Sequence, residues 1–181
     1  MIAYNKLSQS FLSEVKIKPI EQRERNTIIM IASLSKAKGL FTFIDIAQQM
    51  PNLFFRLIIS AKEESIADFF NCNIPANVEL IPVQRNIHPF LHTSDLLLNL
   101  SIPSLCVETF GMTILEAMAY GIPAIVPNAG GPTEVVLDGY NGYCTDVTNV
   151  PKVVDAISLA LEEKEYTRLS ENALERLKMF V

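Results

Sequence analysis

The feature that most narrows the fold is a series of short apolar runs separated by helical patterns. Residues 26–34 (NTIIMIASL), 53–60 (LFFRLIIS), 77–83 (NVELIPV), 95–100 (DLLLNL) and 124–126 (AIV) are all of strand length. Runs with little polar alternation suit strands covered on both faces, as in a parallel sheet. Helical patterns lie between them. One begins at Gly39 and Leu40, continues through Phe43, Ile44 and Ala47 and ends before Pro51; another spans 62–71, with Ile66, Phe69 and Phe70 on one face; a short one spans 87–93. Residues 151–163 and 166–179 read as two amphipathic helices, preceded by a brief edge strand at Tyr143 and Cys144. Strands and helices joined by short links predict an α/β, Rossmann-like fold: a mostly parallel sheet of about six strands with helices on both faces. Ligands of such sheets bind beyond the carboxyl ends of the strands. The turns expected there are 33–39, 83–86, 101–113 and 128–131.

At 181 residues the chain is expected to form one domain, and 49% hydrophobic residues supply a large core. No apolar run approaches the roughly 20 residues of a membrane span. Residues 1–5 lack the basic start and apolar centre of a signal peptide, so a cytoplasmic protein is expected. A net charge of −5 argues against a nucleic-acid surface. Cys72, Cys106 and Cys144 have no metal-ligand spacing and read as buried thiols in a reducing compartment. His88 and His92 stand four apart on a helix but lack a further ligand, so no metal is expected. Residues 1–25, polar and mixed with Pro19 and the cluster EQRER, read as a linker or an edge segment.

The densest grammar lies in residues 108–131, ETFGMTILEAMAYGIPAIVPNAGG. It opens as a loop at Phe110 and Gly111. Thr113 is a plausible N-cap, with Glu116 at capping-box spacing. Leu115, Met118 and Ala119 share an apolar helix face, and Tyr120, Gly121 and Pro123 end the helix. A strand, a glycine turn at 128–131 and a helix from Pro132 to about residue 137 follow. Two helix N-termini near strand ends suit a phosphate. Glu108 is either a solvated loop acid or a carboxylate that accepts from vicinal hydroxyls of a sugar or ribose; Glu116 is either the capping partner or such an acceptor. Lys38, just after the first strand, is either a solvated turn lysine beside Lys36 or a cation for phosphate oxygens.

Glu108 and Glu116, separated by seven residues and embedded as ETFGMTILEAMAYGIPAI, resemble the signature of the retaining glycosyltransferases of family 4, or group 1. Those enzymes have two Rossmann-like halves, the GT-B architecture. The likeness covers roughly residues 26–178 and only the C-terminal, donor-binding half. It implies that residues 26–181 are the donor-binding domain of a GT-B glycosyltransferase, that residues 1–25 are a linker or hinge remnant, and that the N-terminal acceptor half is missing. The implied activity, in the full-length enzyme, is transfer of a sugar with retention to a saccharide or lipid-linked glycan of surface polysaccharide synthesis. The implied donor is a nucleotide-sugar, UDP- or GDP-linked, used without metal or cofactor. Its implied partners are that donor and the N-terminal half, through which alone a membrane would be met.

The same resemblance assigns roles. Glu108 would contact the donor sugar and Glu116 the ribose. The family shows Gly-Arg-Leu, three residues, then Lys-Gly, with arginine and lysine on the diphosphate. Here Ala32, Ser33 and Leu34 precede Ser35, Lys36 and Ala37, followed by Lys38 and Gly39, so Ser33 replaces the arginine. Lys38 and Glu108 would be catalytic. Phe110, Gly111, Met112 and Thr113 would meet the donor, the last three through backbone N–H groups. Val83, Gln84 and Arg85 would cradle the base, unless they form a plain surface loop. Glu134 follows the glycine turn as in the family, or is a first-turn acid. A nucleotide-binding module made non-catalytic by the loss of arginine at Ser33, and a sugar-nucleotide epimerase of the same architecture, are the competing readings. A receiver-type domain is disfavoured because Asp45 and Asp68 fall on helices.

Overall fold

A computed structural model describes residues 5–71 and 73–181. The strands are β1 (Thr27–Ala32), β2 (Phe54–Ile59), β3 (Val78–Ile81), β4 (Leu96–Leu98), β5 (Ala124–Pro127) and β6 (Gly142–Thr145). They form a sheet of order β3-β2-β1-β4-β5-β6 in which every pairing is parallel. The expected "mostly parallel" sheet is therefore wholly parallel. The helices are α1 (Gln9–Glu14), α2 (Leu40–Gln49), α3 (Glu63–Phe69), α4 (His88–His92), α5 (Met112–Met118), α6 (Pro132–Val135), α7 (Val150–Ala160) and α8 (Glu163–Leu177).

Two apolar layers explain the unbroken strand runs. Along β1, Ile28 and Met30 face one side, with Phe43 and Ile44 of α2 and Val153 and Ile157 of α7. Ile29 and Ile31 face the other, with Ile114, Leu115 and Met118 of α5 and Leu177 of α8. Side chains alternate across a strand, so both layers draw on the same six residues and neither parity can be polar. Fully burying one such side chain contributes about 1.5–3 kcal/mol.

The strand order sets where a ligand can enter. From β1 the chain steps outward through β2 to β3, then returns to place β4 on the other side of β1. The loops leaving β1 and β4 therefore diverge, and a crevice opens at their carboxyl ends.

One expectation is resolved and two are corrected. Of the two readings of residues 1–25, a linker or an edge segment, the second describes residues 5–25, which dock on the domain. Leu7 is buried and its N–H donates to the Phe180 carbonyl at 3.1 Å. Arg23 is 4% exposed and donates to the carbonyls of Tyr120 (2.5 Å) and Ser94 (3.1 Å) and to the Tyr166 hydroxyl (3.1 Å). Second, Thr113 does not cap α5. Gly111 does, at φ 86°, and no side chain bonds the cap, so Glu116 forms no capping box. Third, Cys106 is exposed, because residues 104–107 run along the surface, and Cys144 is half-buried. Burial beside Asp138 pushes the Cys144 thiol up to about 11. Cys72 and most of the segment read for a signal peptide lie outside the described residues. Among the described residues, no helix is long and apolar enough to cross a membrane.

Candidate functional site

The site begins where β1 ends. After Ser33 the chain forms a tight turn over Lys36–Lys38, capped by the Ser35 hydroxyl, which accepts from the Ala37 N–H at 3.2 Å. Gly39 closes it at φ 71°, and a Cβ there would lie 2.3 Å from the Leu100 carbonyl oxygen. Glycine is required on both counts. This close approach, with the Ile102 N–H donating to the Ala37 carbonyl at 2.8 Å, presses the turn onto the loop after β4.

Lys38 is thereby brought to residues from that loop. Its ammonium donates to Glu108 Oε2 at 2.5 Å and to Ser101 Oγ at 3.4 Å. Ser101 is buried, and its N–H donates to the Asn99 side-chain carbonyl at 3.1 Å. The start of α5 faces the same space. Its first N–H groups have no helical carbonyl to bond, which is the general condition of a helix start. Ser33, Lys38, Asn99, Glu108, Met112 and Thr113 are among the residues that line this cavity of about 220 Å³.

A second cavity, about 480 Å³, shares Ile31 with the first. Gln84, Arg85 and Asn86 line one side, Glu116 another, and Phe11 and Glu14 of α1 a third. Glu116 projects from α5 one turn beyond Thr113. Burial pushes its carboxyl from 4.5 up to about 7. At the edge of this cavity His88 Nδ1 meets the Tyr120 hydroxyl at 2.5 Å, with Nε2 3.9 Å from Glu14 and its ring tilted over Phe11. His92 turns instead to the Lys16 carbonyl.

The structure thus gathers Ser33, Lys38, Glu108, Gly111, Met112 and Thr113 around one cavity, and Gln84, Arg85 and Glu116 around the next. Two expected residues stand apart. Val83 lines neither and is 58% exposed. The Phe110 side chain turns into the core against Phe180, which leaves only its backbone in the loop. Glu134 is exposed in the first turn of α6. Asn99, Ser101, Phe11 and Glu14 were not anticipated. Asn99 alone had a visible signal: a polar residue near the carboxyl end of the otherwise apolar run 96–100.

The model of a protein family described as Glycosyl transferases group 1 matches residues 13–176. The chain belongs to that family. A relative in sequence, N-acetyl-alpha-D-glucosaminyl L-malate synthase of Bacillus anthracis, is 38% identical over 106 residues, which is 58% of this chain and 27% of that protein. The structure of HepE from Anabaena in complex with UDP-glucose aligns with a TM-score of 0.74 at 21% identity, over 97% of this chain and 50% of HepE. The C-terminal domain of a group 1 glycosyl transferase from Francisella tularensis aligns with a TM-score of 0.68 at 20% identity, over 98% of this chain and 93% of that domain. These two likenesses establish a shared Rossmann-like fold. The chain spans about a quarter of the synthase and half of HepE.

Proposed function

We propose that residues 26–181 are the donor-binding half of a group 1 glycosyl transferase and hold a nucleotide-diphospho-sugar across the two cavities. The observation that carries this reading is the meeting of Lys38, Glu108 and the start of α5 at the crevice between β1 and β4, one helical turn from a half-buried carboxylate, Glu116. The first cavity offers a cation and backbone donors to a diphosphate. A lysine about 4 Å from a phosphate contributes roughly 4 kcal/mol at an effective dielectric of 20, before desolvation is subtracted. The second offers Glu116 to ribose hydroxyls and the Gln84–Arg85 loop to a base. HepE, of the same fold, was solved with UDP-glucose, which supports a nucleotide-sugar ligand. The donor is UDP- or GDP-linked on this reading.

Within the full-length enzyme the domain transfers the sugar with retention. Lys38 and the α5 N–H groups stabilise the departing nucleoside diphosphate, which is electrostatic catalysis. Glu108 faces the sugar. The acceptor, a saccharide or lipid-linked glycan of surface polysaccharide synthesis, is held by the N-terminal half, with residues 5–25 docked as the hinge side. Positioning an acceptor contributes roughly 7–11 kcal/mol of barrier reduction, so the domain alone binds donor without useful transfer.

Calorimetric titration with UDP-, GDP- and ADP-sugars tests the reading. One of them should bind the wild type, and Lys38→Ala should weaken it with a shallower salt dependence. Failure of all three to bind, or an unchanged affinity in Lys38→Ala at low salt, would sink it. A second reading, a non-catalytic nucleotide module, is favoured by one observation: among the described lining residues of the first cavity Lys38 is the sole cation, with Ser33 in the arginine's place. Product formation by the full-length parent separates the two.

A further inference from the structure

Lys38 is engaged by the very carboxylate that is proposed to meet the sugar. Its ammonium lies 2.5 Å from Glu108 Oε2, and both side chains are about one-fifth exposed. Ser101 stands between them, 3.4 Å from the ammonium and 3.5 Å from the carboxylate, the latter at the outer limit of a hydrogen bond. A hydroxyl has one proton and two lone pairs, so Ser101 can accept from Lys38 while donating to Glu108. Its own position is fixed by burial and by Asn99, which accepts from its N–H.

We infer that Glu108 competes with the donor's diphosphate for Lys38. This rests on the proposed donor site. Lys38 has three N–H donors, two of which are committed to Glu108 and Ser101. A phosphate that takes the third lies within a few ångströms of the Glu108 carboxylate, and two like charges so placed repel. Lys38 cannot retreat as a whole, because Gly39 holds the turn against Leu100. The relief open to the site is for the ammonium to tilt to the phosphate and for Glu108 to turn away, still accepting from Ser101.

Two consequences follow for recognition. A bare diphosphate displaces Glu108 from its cation and gives the carboxylate nothing in return. A diphosphate that carries a sugar supplies hydroxyl donors to the freed carboxylate. The pair therefore weakens binding of the leaving group alone relative to the intact donor, which favours release of product after transfer.

The test is a double-mutant cycle on inorganic pyrophosphate, which has neither base nor sugar, measured by calorimetry at low salt on the whole chain. Glu108→Gln keeps the shape and removes the competing charge. It should tighten pyrophosphate about tenfold in the wild-type background, the scale of one hydrogen bond to a charged group. In the Lys38→Ala background the same change relieves only repulsion, and the gain should be about threefold or less, the scale of a screened charge pair. Glu108→Ala should show the same pattern, which covers the case in which the glutamine variant fails to fold. Equal gains in both backgrounds, or no gain with Lys38 present, would overturn the competition while leaving the donor site intact. Failure of both wild type and Glu108→Gln to bind pyrophosphate, or a wild type no tighter than Lys38→Ala with Glu108→Gln no tighter still, would overturn the donor site together with it.

Discussion

Glu116→Gln isolates the cost of holding a carboxylate on the inner side of α5. Burial raises this carboxyl from 4.5 to about 7. The unfolded chain ionises near 4.5, so between 4.5 and about 7 the folded protein retains a proton that the unfolded chain has lost. Stability from this group is therefore undiminished below 4.5, falls as pH rises through that window, and reaches its minimum above 7. The interval at about 1.4 kcal/mol per pH unit gives about 3 kcal/mol, and the residual hydration of a half-buried side chain reduces that to about 2 kcal/mol. Glutamine has no such charge. Urea unfolding at pH 5, 6, 7 and 8 should show the wild type losing about 2 kcal/mol relative to Glu116→Gln across the series. At pH 8 the variant should melt about 4–8 °C higher, given about 2–4 °C per kcal/mol for a chain of this size. Ligand binding should act in the opposite sense. Ribose hydroxyls donate to the ionised carboxylate, so a nucleotide that binds at pH 6 should expel a proton from Glu116, seen as a buffer-dependent heat that the variant lacks. Parallel stability curves for wild type and variant from pH 5 to 8 would refute the half-buried, uncompensated carboxylate.

Two further substitutions probe the frame of the site. Gly111→Ala puts a side chain at φ 86°, with its Cβ 2.7 Å from the Ile114 Cδ1 position, and should cost about 1–3 kcal/mol in urea unfolding while weakening pyrophosphate binding; a neutral effect on both would show that the start of α5 is not set by this residue. Arg23→Met removes the donor shared by the Tyr120 and Ser94 carbonyls and the Tyr166 hydroxyl, and should destabilise by about 3 kcal/mol; a loss under 1 kcal/mol would mean that residues 5–25 are held by Leu7 and α1 alone.

The alternation of strand and helix was legible because the inner strands of this sheet are largely buried on both faces, so residues 27–32 and 54–59 are written almost wholly in apolar letters. The parallel order followed from the helices between strands. The start of α5 was misread for a specific reason. Thr113 and Glu116 are three apart, the spacing of a capping box, but also that of any two residues one helical turn apart, and only the left-handed backbone at Gly111 distinguishes the two. The docking of residues 5–25 was hidden because its anchors are long-range: Arg23 bonds Tyr166, 143 positions away. In the candidate site, Lys38, Glu108 and the 111–113 backbone were readable from turn position and motif spacing. Ser101 was not, since a serine in a loop carries no signal until the fold sets it beside Lys38; Asn99 left only the mark of a polar residue in an apolar run. Val83 and Phe110 share their loops with the lining residues, yet alternate side chains point elsewhere: Val83 to solvent and Phe110 to Phe180.

On the proposed function, one ligand spans the crevice between β1 and β4 from Lys38 to Glu116. Nuclear magnetic resonance of the ¹⁵N-labelled chain, titrated with the nucleoside diphosphate that binds in calorimetry, tests it most directly. Shifts should cluster at the amides of Ser33, Lys38, Ser101, Gly111, Met112, Thr113, Gln84 and Glu116, and pyrophosphate should move the Lys38 and Gly111 group while leaving Gln84 and Glu116 in place. Shifts centred instead on the hollow formed by Arg25, Met50, Leu53 and Val154, at the opposite end of the strands, would place the ligand elsewhere and overturn the donor site.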